Sequence, residues 1–401
     1  MWVNPVNPVN PVKRLCRLRV MSLPQTPHCG TIVVDWWAPM RRRILPVLLV
    51  TLAFISVGQP CSTFVLRSGD QLVFGRNYDY STGYGIVFQN QRHLGKTAFS
   101  GTLSWVSRYA SLTCNQFGKE QPTDGMNEAG LVVALMMLDA TRYPSPDARP
   151  AIGCLAWIQY QLDNCATVED VIQTDARVRI APGNSPLHFL VCDALGDVAV
   201  IEFLDGRMVV HRGDTMPVPA LTNSTYDESI NYLQQHVGFG GDRPIPQSRS
   251  SLDRFVRVAD RLRQYSPDIS TPLVDYAFSA LGAVAQGSFT RWTIVYDVSA
   301  RTIYFKTRES PTVKLAPFHG FDFRCTVLPK LLDIDYQGWG DVSQAFENYT
   351  NAANRDLIYK TYLALDWPLS TSTLNALAAF PNSFRCNRSH VMRRHREKTS
   401  R

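Results

Sequence analysis

The chain lacks three features that would place it in common functional classes: a long apolar run, a paired metal-ligand motif and a basic central region. The apolar stretch at residues 44–57 has fourteen positions and includes Pro46, whereas a membrane-spanning helix needs about 20 apolar residues. No CxxC pair or Cys/His cluster occurs in the sequence, which argues against a structural zinc site. We therefore expect no stable membrane span and no metal.

The formal net charge of +7 lies at the two ends of the chain. Residues 1–60 and residues 382–401 each carry seven Lys and Arg but one acidic residue, which leaves 27 basic and 32 acidic residues, a net −5, for 61–381. Because the basic residues are not spread over a folded face, we do not expect nucleic-acid binding. We interpret residues 371–401 as a basic, disordered tail.

The N-terminal region is typical of an export signal. Three arginines at 41–43 precede the apolar stretch, as in a secretory signal peptide. We therefore assign residues 40–60 to a signal peptide and a short pro-segment, and expect a secreted or periplasmic protein. Residues 1–39 contain a triple NPV repeat and are interpreted as a start-site artefact or a disordered segment. Pro60 is a poor residue at a signal-peptidase site, so we expect a second trimming step.

Trimming to Cys61 would give that residue both a thiol and a free α-amine. A thiol titrates near ~8.5 and an α-amine near ~7.7–8.0, so the amine can accept the thiol proton at neutral pH. One residue then supplies nucleophile and base, and no cofactor is required. Arg76 would favour the thiolate by opposing its charge.

Residues 61–370 are long enough to bury the core of one large domain. Seven cysteines lie from Cys61 onward, and an odd number suits one functional thiol with the others buried or paired.

The hydrophobic pattern of this domain predicts strands, a helical block and further strands. Residues 62–67 and 72–77 flank the turn SGD as a hairpin, which brings Cys61 close to the segment Arg76 to Asp79. Antiparallel hairpins on both sides of a helical block indicate a layered α+β fold. Further strands are predicted at 130–138, 187–193, 198–203, 207–212, 292–297 and 302–307, and helices at 156–162, 167–174, 250–265 and 271–284.

Several motifs in this order resemble the choloylglycine hydrolase and penicillin V acylase family. They are GRNYD at 75–79, DGMNEAGL at 124–131, LTNS at 221–224, DRFVRVAD at 253–260 and TRWTIVYDVSARTIYFKT at 290–307. The resemblance covers roughly residues 61 to 310. It implies a four-layer αββα sandwich of the N-terminal-nucleophile hydrolase type, cleavage of linear amide bonds, and a homotetramer, as is common among its members.

The resemblance also implies roles for individual residues. Cys61 matches the nucleophile, and Arg76 and Asp79 match the pair that holds and polarises it. Asn223 matches the side-chain donor of the oxyanion hole, and Arg254 matches the remaining active-site arginine. An Asn amide is a suitable neutral donor to a tetrahedral oxyanion.

Two departures from the family pattern concern the substrate pocket. Met137 stands where bile-salt hydrolases have an asparagine, so Met137 could serve the oxyanion hole only through its backbone N–H. The segment after LTNS reads TYDES and lacks the proline-aromatic pair of bile-salt hydrolases. The pocket is therefore expected to resemble that of Gram-negative penicillin V acylases, whose members also accept acyl-homoserine lactones.

Structural alternatives exist for these residues. Arg76 and Asp79 would form a surface ion pair, Asn223 would cap a turn, and Arg254 would pair along its helix with Asp253 or with the region of Glu228. A group of aromatic residues would either line an acyl pocket or pack in the core: Tyr78, Tyr80, Tyr84, Trp105 and Trp292.

The function that we expect is a secreted cysteine amidase acting on a small-molecule amide such as penicillin V, an acyl-homoserine lactone or a conjugated bile salt. One alternative is a non-catalytic envelope lipoprotein or binding module, in which Cys61 is lipidated or blocked by Gln59 and Pro60. Another is an acid-ceramidase-like amidase. Such enzymes self-cleave within a longer pro-region, which the nearby apolar stretch disfavours.

Overall fold

The computed structural model describes residues 61–387, apart from residues 102, 268, 269 and 368. The predicted start-site artefact at 1–39 and the signal peptide at 40–60 lie outside the described residues, as does the end of the predicted tail from residue 388.

The described residues form 21 β-strands and seven α-helices. The strands are β1 Ser62–Ser68, β2 Gln71–Asp79, β3 Ile86–Asn90, β4 Leu94–Thr97, β5 Ser104–Val106, β6 Ser111–Asn115, β7 Asp124–Asn127, β8 Val132–Met137, β9 Ala151–Ile152, β10 Arg179–Ile180, β11 Leu187–Cys192, β12 Val198–Leu204, β13 Arg207–Arg212, β14 Ala220–Leu221, β15 Thr290–Asp297, β16 Thr302–Thr307, β17 Lys314–Pro317, β18 Lys330–Asp333, β19 Gly340–Asp341, β20 Glu347–Asn348 and β21 Arg385–Cys386. The helices are α1 Cys154–Asn164, α2 Val168–Gln173, α3 Tyr226–Leu233, α4 Ser251–Gln264, α5 Leu273–Gly282, α6 Asn351–Ala364 and α7 Thr371–Ala379.

Two large sheets pack face to face between helices. The first sheet has the strand order β14-β1-β2-β15-β16-β17-β19 and the second β13-β12-β11-β8-β7-β6-β3-β18-β20. Helices α4 and α5 lie against the first sheet and α1 lies against the second. The fold is an α+β, four-layer αββα sandwich, as predicted.

Side chains of β2 alternate between the two faces of the first sheet, as strand geometry requires. Arg76 points to the second sheet, where its Nη1 donates to the Leu135 carbonyl at 2.7 Å. Its neighbour Asn77 points to the helical side and donates to the Leu281 carbonyl at 2.8 Å. Every residue of β2 from Leu72 onward is buried, because this strand is covered on both faces.

The predicted hairpin is confirmed: Thr63 pairs with Arg76 and Ser62 with Asn77. Its turn uses Gly69 at φ 55°, a conformation that glycine adopts without strain. The other predicted strands and helices are also present, with ends displaced by at most two residues. Thr167 caps α2 by accepting from the Asp170 N–H at 3.1 Å, and the Asp170 carboxylate accepts from the Thr167 N–H at 3.1 Å, which completes a capping box.

The prediction of a disordered tail from residue 371 is wrong for residues 371–387. This segment forms helix α7 and strand β21, which pairs with β4. A disulfide between Cys325 and Cys386 fixes its end. The domain therefore extends beyond the predicted boundary at 370, because the disulfide and the packing of α7 against α6 hold the segment in place.

The prediction that cysteines are buried or paired is confirmed within the described residues, whereas the functional thiol stays a prediction. Five cysteines are free and buried, and two form the disulfide. None of the helices in the part of the chain described here is long and apolar enough to cross a bilayer.

Candidate active site

Cys61 precedes β1 and is buried, with 2% of its surface exposed. Its backbone nitrogen donates to Asn223 Oδ1 at 2.8 Å, and its Sγ lies 3.9 Å from the Asp79 carbonyl oxygen. Burial raises the pKa of the thiol to about 11, although the charge of Arg76 acts in the opposite direction. While residue 60 is attached, the nitrogen is a peptide amide and cannot serve as a base.

Arg76 lies at the centre of the sandwich, with its side chain fully buried. Its Nε lies 3.0 Å from Asp124 Oδ2, and the hydroxyl of Tyr296 donates to the other oxygen of this carboxylate. Within residues 61–387 as described, Arg76 Nη2 is buried and has no hydrogen-bond partner. A thiolate at Cys61 would be stabilised by this nearby positive charge.

The alternative of a surface ion pair between Arg76 and Asp79 is wrong. Both side chains are inaccessible, and Arg76 pairs with Asp124 instead. Strand alternation explains the separation, because residues 76 and 79 differ by an odd number of positions and point to opposite faces.

Asp79 is a buried carboxylate with one unused oxygen. Its Oδ1 accepts a hydrogen bond from the Thr290 hydroxyl, whereas Oδ2 has no partner among the described residues. Burial raises the pKa of Asp79 to about 7, and the Thr290 hydroxyl and the charges of Arg254 and Arg76 counteract only part of this effect. The group therefore titrates in the neutral range.

Asn223 follows β14 and joins three parts of the site. Its Oδ1 accepts from the Cys61 nitrogen and from Arg254 Nη2, both at 2.8 Å. Its Nδ2 donates to the Met137 carbonyl at 2.9 Å. The two donors on one side and the carbonyl on the other fix the orientation of the amide. Asn223 is therefore more than the turn cap of the alternative interpretation.

Met137 lies at the end of β8, as predicted, but the contact with Asn223 is made by its carbonyl. The suggested use of its backbone N–H in an oxyanion hole stays a prediction.

Arg254 projects from α4 onto Cys61 and the first residue of β1. Its Nη1 donates to the carbonyl of Cys61 and, at 2.7 Å, to Ser62 Oγ. Burial lowers the pKa of its guanidinium to about 10, which leaves it charged at neutral pH. Asp253 instead accepts from the Tyr232 hydroxyl at 2.8 Å. The alternative of an ion pair along the helix is therefore wrong.

The five predicted side chains thus converge on one position, although three supporting residues were missed. Asp124 orients Arg76, Thr290 binds Asp79, and Ser251 Oγ accepts from the Asn223 N–H at 2.8 Å. Asp124 and Thr290 lie within motifs that carried the family resemblance. Ser251 is the first residue of α4 and follows the N-cap Ser250, so serines at this point are expected for helix capping rather than for support of an active site.

The aromatic residues differ in burial and in packing. Tyr78 stacks on Trp292 with ring centroids 4.4 Å apart and on Tyr80 at 5.5 Å. Trp105 donates to Asp163 at 2.8 Å, and 45% of Tyr84 is exposed. Tyr78 and Trp292 are therefore core residues, as the packing alternative predicts.

This arrangement suits covalent catalysis at a carbonyl. A thiol lies beside a backbone nitrogen that would become an amine after cleavage. Two buried arginines supply positive charge, and a carboxylate that titrates near neutrality lies next to Cys61. Among the residues that the structure describes, no three His, Cys, Asp or Glu side chains form a potential metal site.

Comparison with known proteins identifies the family. The family model described as linear amide C–N hydrolases, choloylglycine hydrolase family, matches residues 61–326. Penicillin V acylase from Pectobacterium atrosepticum is 28% identical over 311 residues, covering 64% of this chain and 81% of the relative.

Two solved structures show the same architecture. Penicillin V acylase from Agrobacterium tumefaciens has a TM-score of 0.64 and 26% identity, covering 72% of this chain and 98% of that chain. A variant of conjugated bile acid hydrolase from Clostridium perfringens has a TM-score of 0.57 and 22% identity, covering 72% and 97%. The matched region begins at Cys61 and accounts for well over half of the sequence. The chain belongs to the choloylglycine hydrolase family of linear amide C–N hydrolases and is an amide hydrolase.

Proposed function

We propose that the protein is a secreted cysteine amidase whose nucleophile is Cys61, exposed as the first residue after removal of the preceding segment. The observation that carries the proposal is the position of the Cys61 nitrogen. It lies 2.8 Å from Asn223 Oδ1, in a site where Arg76 and Arg254 oppose the charge of a thiolate. The family model also begins at this residue.

Cleavage before Cys61 changes the chemistry of the site. In the uncut chain a thiol pKa of about 11 leaves about one thiolate in 10⁴ molecules at pH 7. A free α-amine titrates near ~7.7–8.0 and can take the thiol proton. The resulting ammonium lies next to Asn223, and we place the unused oxygen of Asp79 as its second acceptor.

Hydrolysis then proceeds in two steps. The Cys61 thiolate attacks the amide carbonyl carbon, the C–N bond breaks, and the α-ammonium gives its proton to the leaving amine. Water next attacks the thioester, the α-amine accepts a proton from that water, and the acid leaves as the thiol is restored. Asn223 and the backbone N–H of Met137 are proposed as donors to the tetrahedral oxyanion in both steps.

Export is supported by the disulfide between Cys325 and Cys386, because stable disulfides are typical of oxidising compartments. This agrees with the signal-like residues 40–60 and with a secreted or periplasmic location.

The proposed substrate is an acyl amide of the penicillin V type. Both penicillin V acylase relatives exceed 25% identity to this chain, whereas the bile acid hydrolase lies below that level. Acyl-homoserine lactones and conjugated bile salts are the further substrates to test. A homotetramer is proposed from the family resemblance.

The nucleophile is tested with Cys61→Ala and Cys61→Ser in the processed protein, using penicillin V, an acyl-homoserine lactone and glycocholate as substrates. Both variants are expected to remain folded and to lose turnover of every substrate that the wild type cleaves. Cys192→Ser is the matched control, because it alters another buried free thiol and is expected to keep activity. Turnover by Cys61→Ala would refute the assignment and indicate another nucleophile, whereas a wild type without turnover of any of the three substrates would favour the binding module.

A further inference from the structure

A second buried ionic cluster lies behind the active site and contains a histidine with acceptors on both sides. His188 on β11 is inaccessible. Its Nδ1 lies 3.0 Å from Glu202 Oε1 and its Nε2 lies 2.8 Å from the Thr222 carbonyl oxygen. His211 approaches the other oxygen of Glu202 at 3.5 Å through Nε2.

The partners of His188 determine its protonation. A backbone carbonyl only accepts hydrogen bonds, so Nε2 must carry a hydrogen. Glu202 Oε1 also accepts from the Tyr226 N–H at 3.0 Å, and as a carboxylate oxygen it can accept from Nδ1 as well. Burial would raise the pKa of Glu202, but the contacts of its carboxylate with His188 and His211 outweigh burial and hold this pKa at about 2. This geometry suits a His188 ring that donates from both nitrogens and pairs with the Glu202 carboxylate.

The contact with Thr222 connects this pair to the active site. The Thr222 carbonyl and the Asn223 N–H belong to one peptide unit. His188 binds the carbonyl end at 2.8 Å, and Ser251 Oγ accepts from the N–H end at 2.8 Å. The peptide plane is therefore fixed at both ends, and it sets the direction in which the Asn223 side chain leaves the backbone.

From this geometry we propose that His188 is a positioning residue for the amidase reaction. Its imidazolium, paired with Glu202, fixes the 222–223 peptide and so aims the Asn223 amide at Cys61 and at the developing oxyanion. This inference rests on the proposed function, because it gives His188 a role through Asn223. Histidine is suited to the position because its two ring nitrogens donate in opposite directions, which bridges the carboxylate and the carbonyl.

The charged groups around the cluster offer a matched control. His211 faces the same Glu202 carboxylate, and its Nδ1 lies 3.8 Å from Asp227 Oδ1. It has no contact with Thr222 among the hydrogen bonds and ion pairs of the described residues. Arg254 reaches Asn223 from the opposite side. Replacing His211 therefore perturbs Glu202 without releasing the 222–223 peptide.

The kinetic test compares His188→Gln with His211→Gln in the processed enzyme on penicillin V. His188→Gln is expected to lower kcat by at least tenfold with KM changed less than threefold, because the loss affects the transition state rather than substrate binding. His211→Gln is expected to keep kcat within threefold of the wild type. Equal losses in the two variants, or a loss confined to KM, would overturn the proposal.

A double variant separates positioning from folding. His188→Gln with Glu202→Gln also removes the buried carboxylate that has lost its His188 partner, so the melting temperature of the double variant is expected to return towards that of the wild type while kcat stays low. Recovery of kcat together with melting temperature would show a purely structural role and overturn the proposal.

Protonation is measured directly by ¹⁵N NMR of histidine-labelled protein in a Cys61→Ala background, with the His188 signal assigned by its loss in His188→Gln. Both ring nitrogens are expected to be protonated at pH 7, and a neutral tautomer would overturn the proposal. This measurement does not depend on catalysis. Failure of the nucleophile assignment would instead appear as turnover by Cys61→Ala.

Discussion

The buried carboxylate of Asp79 should make the stability of the uncut chain depend on pH in an unusual direction. Its folded-state pKa of about 7 lies above the ordinary value of 3.8. On raising the pH, the unfolded chain therefore loses this proton first, near pH 4, and the folded chain retains it to about pH 7. Asp79 therefore does not lower the free energy of unfolding below pH 4. It lowers this free energy progressively between pH 4 and 7, and the loss is complete above pH 7.

The size of the loss follows from the two pKa values. Each pKa unit corresponds to about 1.36 kcal/mol, so the interval from 3.8 to about 7 amounts to roughly 4 kcal/mol. Asp79→Asn cannot ionise and escapes this loss. The free energy of unfolding of Asp79→Asn minus that of the uncut wild type should therefore rise by roughly 4 kcal/mol from pH 4 to 7 and then level off.

The assay is chemical denaturation of both uncut proteins at fixed pH values from 4 to 8, followed by tryptophan fluorescence. Thr290→Val is the companion variant, because it removes the hydroxyl that donates to Asp79 and should extend the loss to higher pH. In the processed protein the α-ammonium of Cys61 should stabilise the carboxylate and reduce the effect. Parallel wild-type and Asp79→Asn curves across this pH range would refute the reasoning.

Three other substitutions test different parts of the structure. Replacing Cys325 and Cys386 together by serine opens a loop with a sequence separation of 61. The free energy of unfolding should fall by about 4 kcal/mol. A melting temperature equal to that of the oxidised wild type would contradict the contribution of the disulfide. Arg76→Gln leaves Asp124 buried without its cation, so a destabilisation of about 3–5 kcal/mol is expected in denaturation experiments. Alkylation of Cys61 in the processed protein should also become slower. Unchanged alkylation would exclude Arg76 as the group that favours the thiolate. Asn223→Ala should reduce kcat by about 10²–10³ in steady-state assays, and a change in KM with kcat preserved would argue against a role in the transition state.

The main strands and the convergence of the site could be predicted from sequence because the signals are local or lie in motifs. The hairpin is specified by the SGD turn between two apolar runs, and its register places Arg76 opposite Thr63. Cys61, Arg76, Asp79, Asn223 and Arg254 lie within or beside motifs that carried the family resemblance.

The features that were missed depend on contacts between distant segments. Arg76 pairs with Asp124 because the two sheets face each other, and sequence spacing does not contain this pairing. The segment 371–387 is held by a disulfide to Cys325. With an odd number of cysteines in the domain, the sequence did not show which cysteine pairs with Cys325. His188 has no motif of its own, and its importance emerges only from the acceptors at both ring nitrogens.

The central claim is that Cys61 begins the mature protein and carries the acyl group during turnover. Intact-mass and peptide mass spectrometry of the exported protein, quenched during penicillin V hydrolysis, tests both parts at once. The account predicts an unmodified Cys61 N-terminus at rest and a phenoxyacetyl thioester on Cys61 during turnover. An active protein that begins at another residue, or an acyl group on any other side chain, would contradict it.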